Sequence, residues 1–383
     1  MSKVYLSYNN IISALGFDSE TVVENIANEI TGLHRISDLQ MLPEAFYSSL
    51  ISSENLDNSF QDLTPQVENY TKLEKMMIMS MAKIIGSSGI ELNERVGLII
   101  STTKGNIDTL ELDSKFEKKR AYLSELGRVI KSFFGFKHEA IILSNACVSG
   151  VLAVAAAKRF INQGLYDHVF VVSGDLVSKF ILSGFSSFQA MSENPCRPYS
   201  NDRDGINIGE VAASVLVTSE RNNLPGEAVE ILGEASCNDA NHISGPSRTG
   251  EGLYRSVRSA MNEAEVSAEA IDYISAHGTA TTFNDEMEAI AFNRLGLEKT
   301  PLNSLKGYFG HTLGASGLLE TIVGMHSLQQ NRLFRSLGFS ELGVSKPLNI
   351  ITETKRKDLS VFLKTASGFG GCNTAMIFQK LKT

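Results

Sequence analysis

The stretch Ile141–Phe160, IILSNACVSGVLAVAAAKRF, decides how this chain is read. It opens on apolar residues, passes Ser144 and Asn145, reaches Cys147, and continues through Ser149, Gly150, Ala153 and Ala155 to Ala157. The pattern predicts a strand ending near Ser144, a turn, and a helix from near Val148 whose small residues let it pack closely in a core. A sulfur at a helix N-terminus lies among free N–H groups and the positive dipole end, which favour thiolate and can hold a developing oxyanion. Free cysteine is also often simply buried. The stretch alone therefore admits a nucleophile and a core filler equally.

Similar apolar runs recur outward from it: VGLII (96–100), HVFVVSG (168–174), ASVLVTS (213–219), IDYISA (271–276), SVFLKTA (360–366) and TAMIFQK (374–380). Nearly continuous runs of this length predict strands covered on both faces. Helical patterns at 148–163, 251–264, 285–295 and 315–330 lie between them, which predicts an α/β layered fold. The opening MSKVYLSYNNIISALG reads as a first strand and turn, not a signal peptide. NSLKGYFGHTLGASGLLETIVGMHSL (303–328) echoes the strand, turn and small-residue helix, with His311 near the place of Cys147. Two half-chains of related design, 1–222 and 223–383, would meet around ERNNLPGEA and bring their two turns to a shared centre.

The 383 residues are 43% hydrophobic, enough for a globular enzyme with a large core. No apolar run approaches the ~20 residues of a membrane span, so no membrane role and a cytoplasmic location are expected. The net charge of −8 argues against a general attraction for nucleic acid. Cys147, Cys196, Cys237 and Cys372 are far apart, with no metal-ligand spacing, so neither disulfides nor a metal are expected.

Three further segments carry chemistry. In YISAHGTATTFNDEMEAI (273–290) a strand runs into His277, then a turn with Thr279 and Thr281, then a helix capped by Asn284 or Asp285. In NSLKGYFGHTLGASG (303–317) Lys306 and His311 occupy a glycine-rich turn before a helix. A histidine there is held neutral and can donate a hydrogen bond at pH 7. In ASGFGGCNTAMIF (366–378) glycines around Phe369 allow a swinging gate, and no Gly-Lys-Ser/Thr follows to make a phosphate loop. Each segment has an ordinary structural reading. A thiol, two histidines and a lysine, each at a strand-to-turn junction, together point to one site.

NACVSG, AHGTATTFND, SLKGYFGH, GFGGCN and CRPYSNDRDGINIGE (196–210) resemble the motifs of the elongating β-ketoacyl-acyl-carrier-protein synthases of the thiolase-like superfamily, over essentially the whole chain. The resemblance implies a five-layered αβαβα fold from two similar halves, a homodimer, and a Cys147-His277-His311 triad. It implies that Cys147 takes an acyl chain from acyl-loaded acyl carrier protein, with the backbone N–H groups of Cys147 and Phe369 as oxyanion hole. Malonyl-loaded carrier would then lose carbon dioxide, its enolate held by both histidines, and condense with the acyl chain in fatty acid or polyketide/polyene biosynthesis. Lys306 would orient the histidines, Glu288 with Asp285 on one helix would support that lysine, and Thr279 and Thr281 would bind the pantetheine arm. No cofactor is implied, because decarboxylation drives the reaction.

Departures from the family pattern are local. Ser367 stands where the gate usually has a first phenylalanine, and Cys372 where it usually has threonine. STTKGNIDTL (101–110) lacks the glycine-rich pattern expected near the acyl pocket. An acidic carrier meeting a net negative chain needs a basic patch, for which Lys72, Lys75 and KFEKKR (115–120) are candidates; Gln189 falls where relatives carry a docking arginine. Rival readings are one subunit of a ketosynthase heterodimer, catalytic or chain-length-determining; a thiolase-type enzyme using Cys372 as second cysteine; and a binding module. The last leaves the nucleophile and both histidines unexplained.

Overall fold

The structure, a computed structural model, describes residues 3–239 and 245–381. In chain order the first half contains β1 (Tyr5–Ser13), α1 (Lys72–Ser88), β2 (Val96–Ser101), α2 (Leu123–Phe134), β3 (Ile141–Leu143), α3 (Ser149–Asn162), β4 (His168–Asp175), α4 (Lys179–Ser187) and β5 (Val211–Thr218). The second contains β6 (Val229–Asn238), α5 (Glu251–Ala264), β7 (Tyr273–Ser275), α6 (Thr282–Arg294), β8 (Pro301–Asn303), α7 (Ser316–Gln330), β9 (Val361–Gly368) and β10 (Cys372–Lys380).

The strand orders are β3-β2-β4-β5-β1 and β8-β7-β9-β10-β6, the same order shifted by five. In both, the first two pairings are parallel and the last two antiparallel. Antiparallel pairing of Tyr5 with Glu230 and Leu6 with Val229 joins the halves edge to edge. Alternation along each strand divides the core. Ile99, Val169 and Val171 face a central layer with α3 and α7, as do Phe362 and Met376 of the other half. Leu98, Ile100, Phe170 and Val172 face α1 and α2 on one outside. Leu363, Ala375 and Ile377 face α5 and α6 on the other. The result is the expected five-layered thiolase-like arrangement.

The central helices cross at two glycines. A Cβ on Gly150 would lie 2.8 Å from Leu318 N and 2.9 Å from Gly314 O, and one on Gly317 would lie 2.4 Å from Val151 Cγ2. Both helices open Ser-Gly, and three residues before each serine stands a non-glycine residue of positive φ, Ala146 (45°) and Leu313 (53°). In that register Cys147 corresponds to Gly314, so His311 lies three residues before the equivalent place, a correction to the sequence echo.

Some elements differ from expectation. β6 was not legible, because Glu230, Gly233 and Glu234 interrupt its apolar residues. α6 starts at Thr282, so Asn284 and Asp285 lie inside its first turn and neither caps it. The Asp285 carboxylate instead accepts the backbone N–H groups of Thr279 and Tyr199, at 2.9 and 2.7 Å. Among the described residues no helix is long and apolar enough to cross a membrane.

Candidate active site

The C-terminal ends of β3, β7, β8 and β9 lead into the turns that carry Cys147, His277, His311 and Phe369. Ends of parallel strands are where an α/β sheet offers side chains to a ligand. At the nucleophile turn Ala146 takes the left-handed conformation that a side chain disfavours. Ser149 holds the turn: its Oγ accepts from Asn145 N at 2.8 Å and donates to Ala146 O at 2.6 Å.

Cys147, His277 and His311 are all buried, and the Cys147 sulfur and one ring nitrogen of each histidine lie within 4.8 Å of one another. The two imidazoles meet edge to face, with centroids 5.2 Å apart. Leu313 N donates to His311 Nδ1 at 3.0 Å. That nitrogen is therefore an acceptor, and the neutral ring carries its proton on Nε2. Burial, then the Lys306 charge, holds His311 well below the usual histidine range. Burial does the same for His277, followed by Lys306, His311 and Lys364. Both rings are neutral at pH 7. His277 Nδ1 is buried without a partner among the described residues, and the ring lines the cavity.

The thiol departs from expectation. Burial pushes Cys147 up to about 12, so the helix N-terminus does not make a resting thiolate. Desolvation of the sulfur is the main cause and the neighbouring Cys372 adds to it, while α3 begins only two residues beyond Cys147. The Phe369 backbone N–H faces the sulfur. Phe369 itself packs on Phe185 and edge-on against Phe188, with centroids 5.8 and 5.5 Å away. Ser367 Oγ donates to Asn373 Oδ1 at 2.7 Å, so the residue that stands where the resemblance expects an aromatic is tied into a polar network. Cys372 is buried, its thiol donating to the Phe369 carbonyl at 3.4 Å.

Cys147, both histidines, Phe369, Thr279 and Thr281 line one cavity of about 450 Å³. Thr279 and Thr281 bond to each other through their hydroxyls at 2.8 Å. Gln189 lines it too. Lys306 lies behind His277 and donates to its carbonyl at 2.7 Å. Its carboxylate partner is Glu320 of α7, at 2.8 Å, not Glu288. Glu288 instead accepts His277 N at 2.9 Å, Gly278 N at 2.7 Å and Tyr199 Oη at 2.9 Å, because α6 directs it at the backbone of the histidine turn. Burial raises Glu288, and raises Asp285 to about 6.

Sequence reading missed Glu320, Lys364 and Asp175. Asp175 accepts Gly314 N at 2.9 Å and Thr103 N at 3.0 Å, tying β4 to the turn before α7. The signal for the other two was a lone charge in an apolar run, in GLLETIVGM (317–325) and SVFLKTA (360–366). Most of the basic docking candidates are engaged internally: Lys72 with Glu210 at 2.6 Å, Lys75 with Asp57 at 2.5 Å, Lys119 with Glu117 at 2.8 Å. Lys115 pairs with Glu68 and Arg120 with the buried Glu74.

Residues 12–223 match the family described as beta-ketoacyl synthase, N-terminal domain, and residues 228–340 match beta-ketoacyl synthase, C-terminal domain. The chain is similar to 3-oxoacyl-acyl-carrier-protein synthase 2 of Staphylococcus aureus (strain COL), 25% identical over 418 residues covering 99% of each. It is 34% identical over 251 residues to 3-oxoacyl-acyl-carrier-protein synthase 2 of Rhizobium meliloti (strain 1021), covering 61% of this chain and 59% of that one. Among solved structures it resembles the complex of a ketosynthase (ApeO) with its chain length factor (ApeC) from Xenorhabdus doucetiae. That match has a TM-score of 0.87 and 25% identity, over 99% of this chain and 98% of that one. A beta-ketoacyl synthase from Burkholderia phymatum STM815 shares the fold, with TM-score 0.89 and 23% identity over 100% of both chains.

Proposed function

The chain belongs to the beta-ketoacyl synthase family, and from that premise we propose that it elongates acyl chains held on an acyl carrier protein, with malonyl-loaded carrier as the extender. The observation that carries this is the closeness of one buried thiol to two neutral imidazoles, with a backbone N–H facing the sulfur. The half 1–222 contributes the nucleophile, and 223–383 contributes both histidines and the gate.

Cys147 attacks the acyl-carrier thioester; a new S–C bond forms and the carrier thiol leaves with the thiol proton. Because burial keeps the thiol protonated, attack needs proton removal as the bond forms. A neutral imidazole beside it suits that task. The backbone N–H groups of Cys147 and Phe369 hold the oxyanion. Malonyl-carrier then enters along Thr279 and Thr281. His311 Nε2–H and His277 hydrogen-bond its thioester carbonyl. The carboxylate carbon departs as carbon dioxide, and its bonding pair becomes the enolate that both rings hold. The enolate carbon attacks the acyl-Cys147 carbonyl, the S–C bond breaks, and the thiolate takes one proton from solvent, the single proton the cycle consumes. The product is a 3-oxoacyl chain on the carrier. Lys306 acts behind His277, fixing its carbonyl.

Intact-mass analysis after incubation with a panel of acyl-carrier thioesters, beside Cys147→Ala, tests this. An acyl adduct on the parent and none on the variant supports it, and the preferred chain indicates the pathway. No adduct with any chain from folded protein sinks the stand-alone reading. The resemblance to a ketosynthase solved with its chain length factor favours a second reading, the catalytic subunit of a heterodimer. Adduct formation only after adding a related subunit would select it.

A further inference from the structure

Behind the histidines lies a second buried cation. Lys364 of β9 is fully buried, as is Lys306, and Glu320 is 2% exposed. The two lysines share that one carboxylate: Lys306 Nζ donates to Oε1 at 2.8 Å and Lys364 Nζ to Oε2 at 2.6 Å. Lys364 Nζ also donates to Ser275 O at 3.1 Å and Ala276 O at 3.4 Å. Its three acceptors match the three N–H bonds of an ammonium, whereas a neutral amine would turn its lone pair on one of them. Lys306 takes the next carbonyl, that of His277, at 2.7 Å. Three consecutive carbonyls at the end of β7 are thus held by two ammonium groups on a single carboxylate.

A lysine and a glutamate would be neutral together. The second lysine gives the cluster a net single positive charge inside the protein, directly behind His277. We propose that Lys364 is a positioning residue for the decarboxylating histidines: it fixes the strand end that carries His277 and supplies the excess positive charge that keeps this ring unprotonated. The proposal rests on the ketosynthase reading above.

The charged and titratable groups around His277 are few. Lys306 and His311 lie beyond β8, Lys364 on β9, Glu320 on α7, Glu288 on α6 and Cys147 before α3, with Asp285 one turn before Glu288. Glu288 is committed to the histidine turn's own N–H groups. Glu320 is divided between the two lysines. After burial, Lys306 and His311, Lys364 adds to the positive influence that disfavours a charged ring. The ring works only while neutral, so a positive neighbour extends its working range to lower pH.

The test compares the pH dependence of condensation in wild type, Lys364→Gln and Lys364→Arg between roughly pH 4.5 and 8. Gln keeps N–H donors and removes the charge; Arg keeps the charge. The acid limb of Lys364→Gln is expected to move up by about one pH unit or more, while that of Lys364→Arg stays with wild type. A Lys364→Gln enzyme that is slower at every pH with its acid limb unmoved would overturn the proposal and leave a structural lysine. If Lys364→Gln does not fold, a Lys364→Arg limb displaced upward overturns it and an unmoved limb supports it. Acylation of wild-type Cys147, read by mass in the same samples, separates failure of this proposal from failure of the ketosynthase reading.

Discussion

Glu320→Gln is the sharpest test of the buried charge cluster. The change is nearly isosteric and leaves two fully buried ammonium groups with only carbonyl and amide acceptors. Breaking a buried ion pair from one side costs about 3–5 kcal/mol. A second route reaches a similar figure. Neutralising one lysine would return the cluster to a single positive charge. Holding a lysine of ordinary pKa near 10.4 neutral at pH 7 spans about 3.4 units, or about 4.6 kcal/mol. The two routes differ in pH dependence. In the neutralised variant the unfolded chain binds one more proton than the folded one between the depressed folded pKa and 10.4, so stability rises with pH there. Between pH 7 and pH 9 about 2.7 kcal/mol should return. The assay is urea unfolding followed by far-ultraviolet circular dichroism, since the chain has no tryptophan. A loss below about 1 kcal/mol at pH 7 would show that the Glu320 carboxylate does not hold the two ammonium groups. An equal loss at both pH values would refute the neutralisation step.

Other outcomes follow from the same geometry. Because burial pushes Cys147 up to about 12, its alkylation by iodoacetamide, followed by peptide mass, should rise about tenfold per pH unit from pH 7 to 9; a plateau in that range would show a thiolate already formed. Gly150→Ala places a methyl group 2.8 Å from Leu318 N and should cost about 1–3 kcal/mol in denaturant unfolding. Gly86→Ala, on an open face of α1, should be neutral or add about 0.5–1 kcal/mol; similar values for the two would refute the close helix crossing. Phe188→Ala removes the edge-on support of Phe369, worth about 0.5–1.5 kcal/mol. The lifetime of the acyl-Cys147 adduct against hydrolysis, measured by mass, should shorten about two- to tenfold; an unchanged lifetime would show that the gate does not lean on this ring.

Much of the site was legible because its residues lie where the pattern itself changes. Cys147, His277 and Phe369 each follow the end of an apolar run, and a run long enough to be a buried strand must end in a turn; His311 is marked instead by the glycine-rich turn before its helix. The repeat was legible too, since α3 and α7 both open Ser-Gly, the small pair that a close helix crossing needs. Its register was not, because the matching feature is a pair of left-handed residues, Ala146 and Leu313, with no shared residue type.

Local order along the chain thus determined which side chains stand at strand ends, and with them the thiol and the two imidazoles. Their chemical state was set by the packing of the assembled layers. The Lys306 partner is Glu320, on a helix of the central layer, although Glu288 stood closer to the histidine in sequence. Lys364 joins them from a residue separation of 44. The Leu313 N–H fixes the His311 proton on Nε2, and burial raises the Cys147 thiol against its helix. Proton affinity depends on which charges and dipoles surround a group and how much water is excluded. Those are set by which strands become neighbours, a property of the assembled layers that no local run of residues contains.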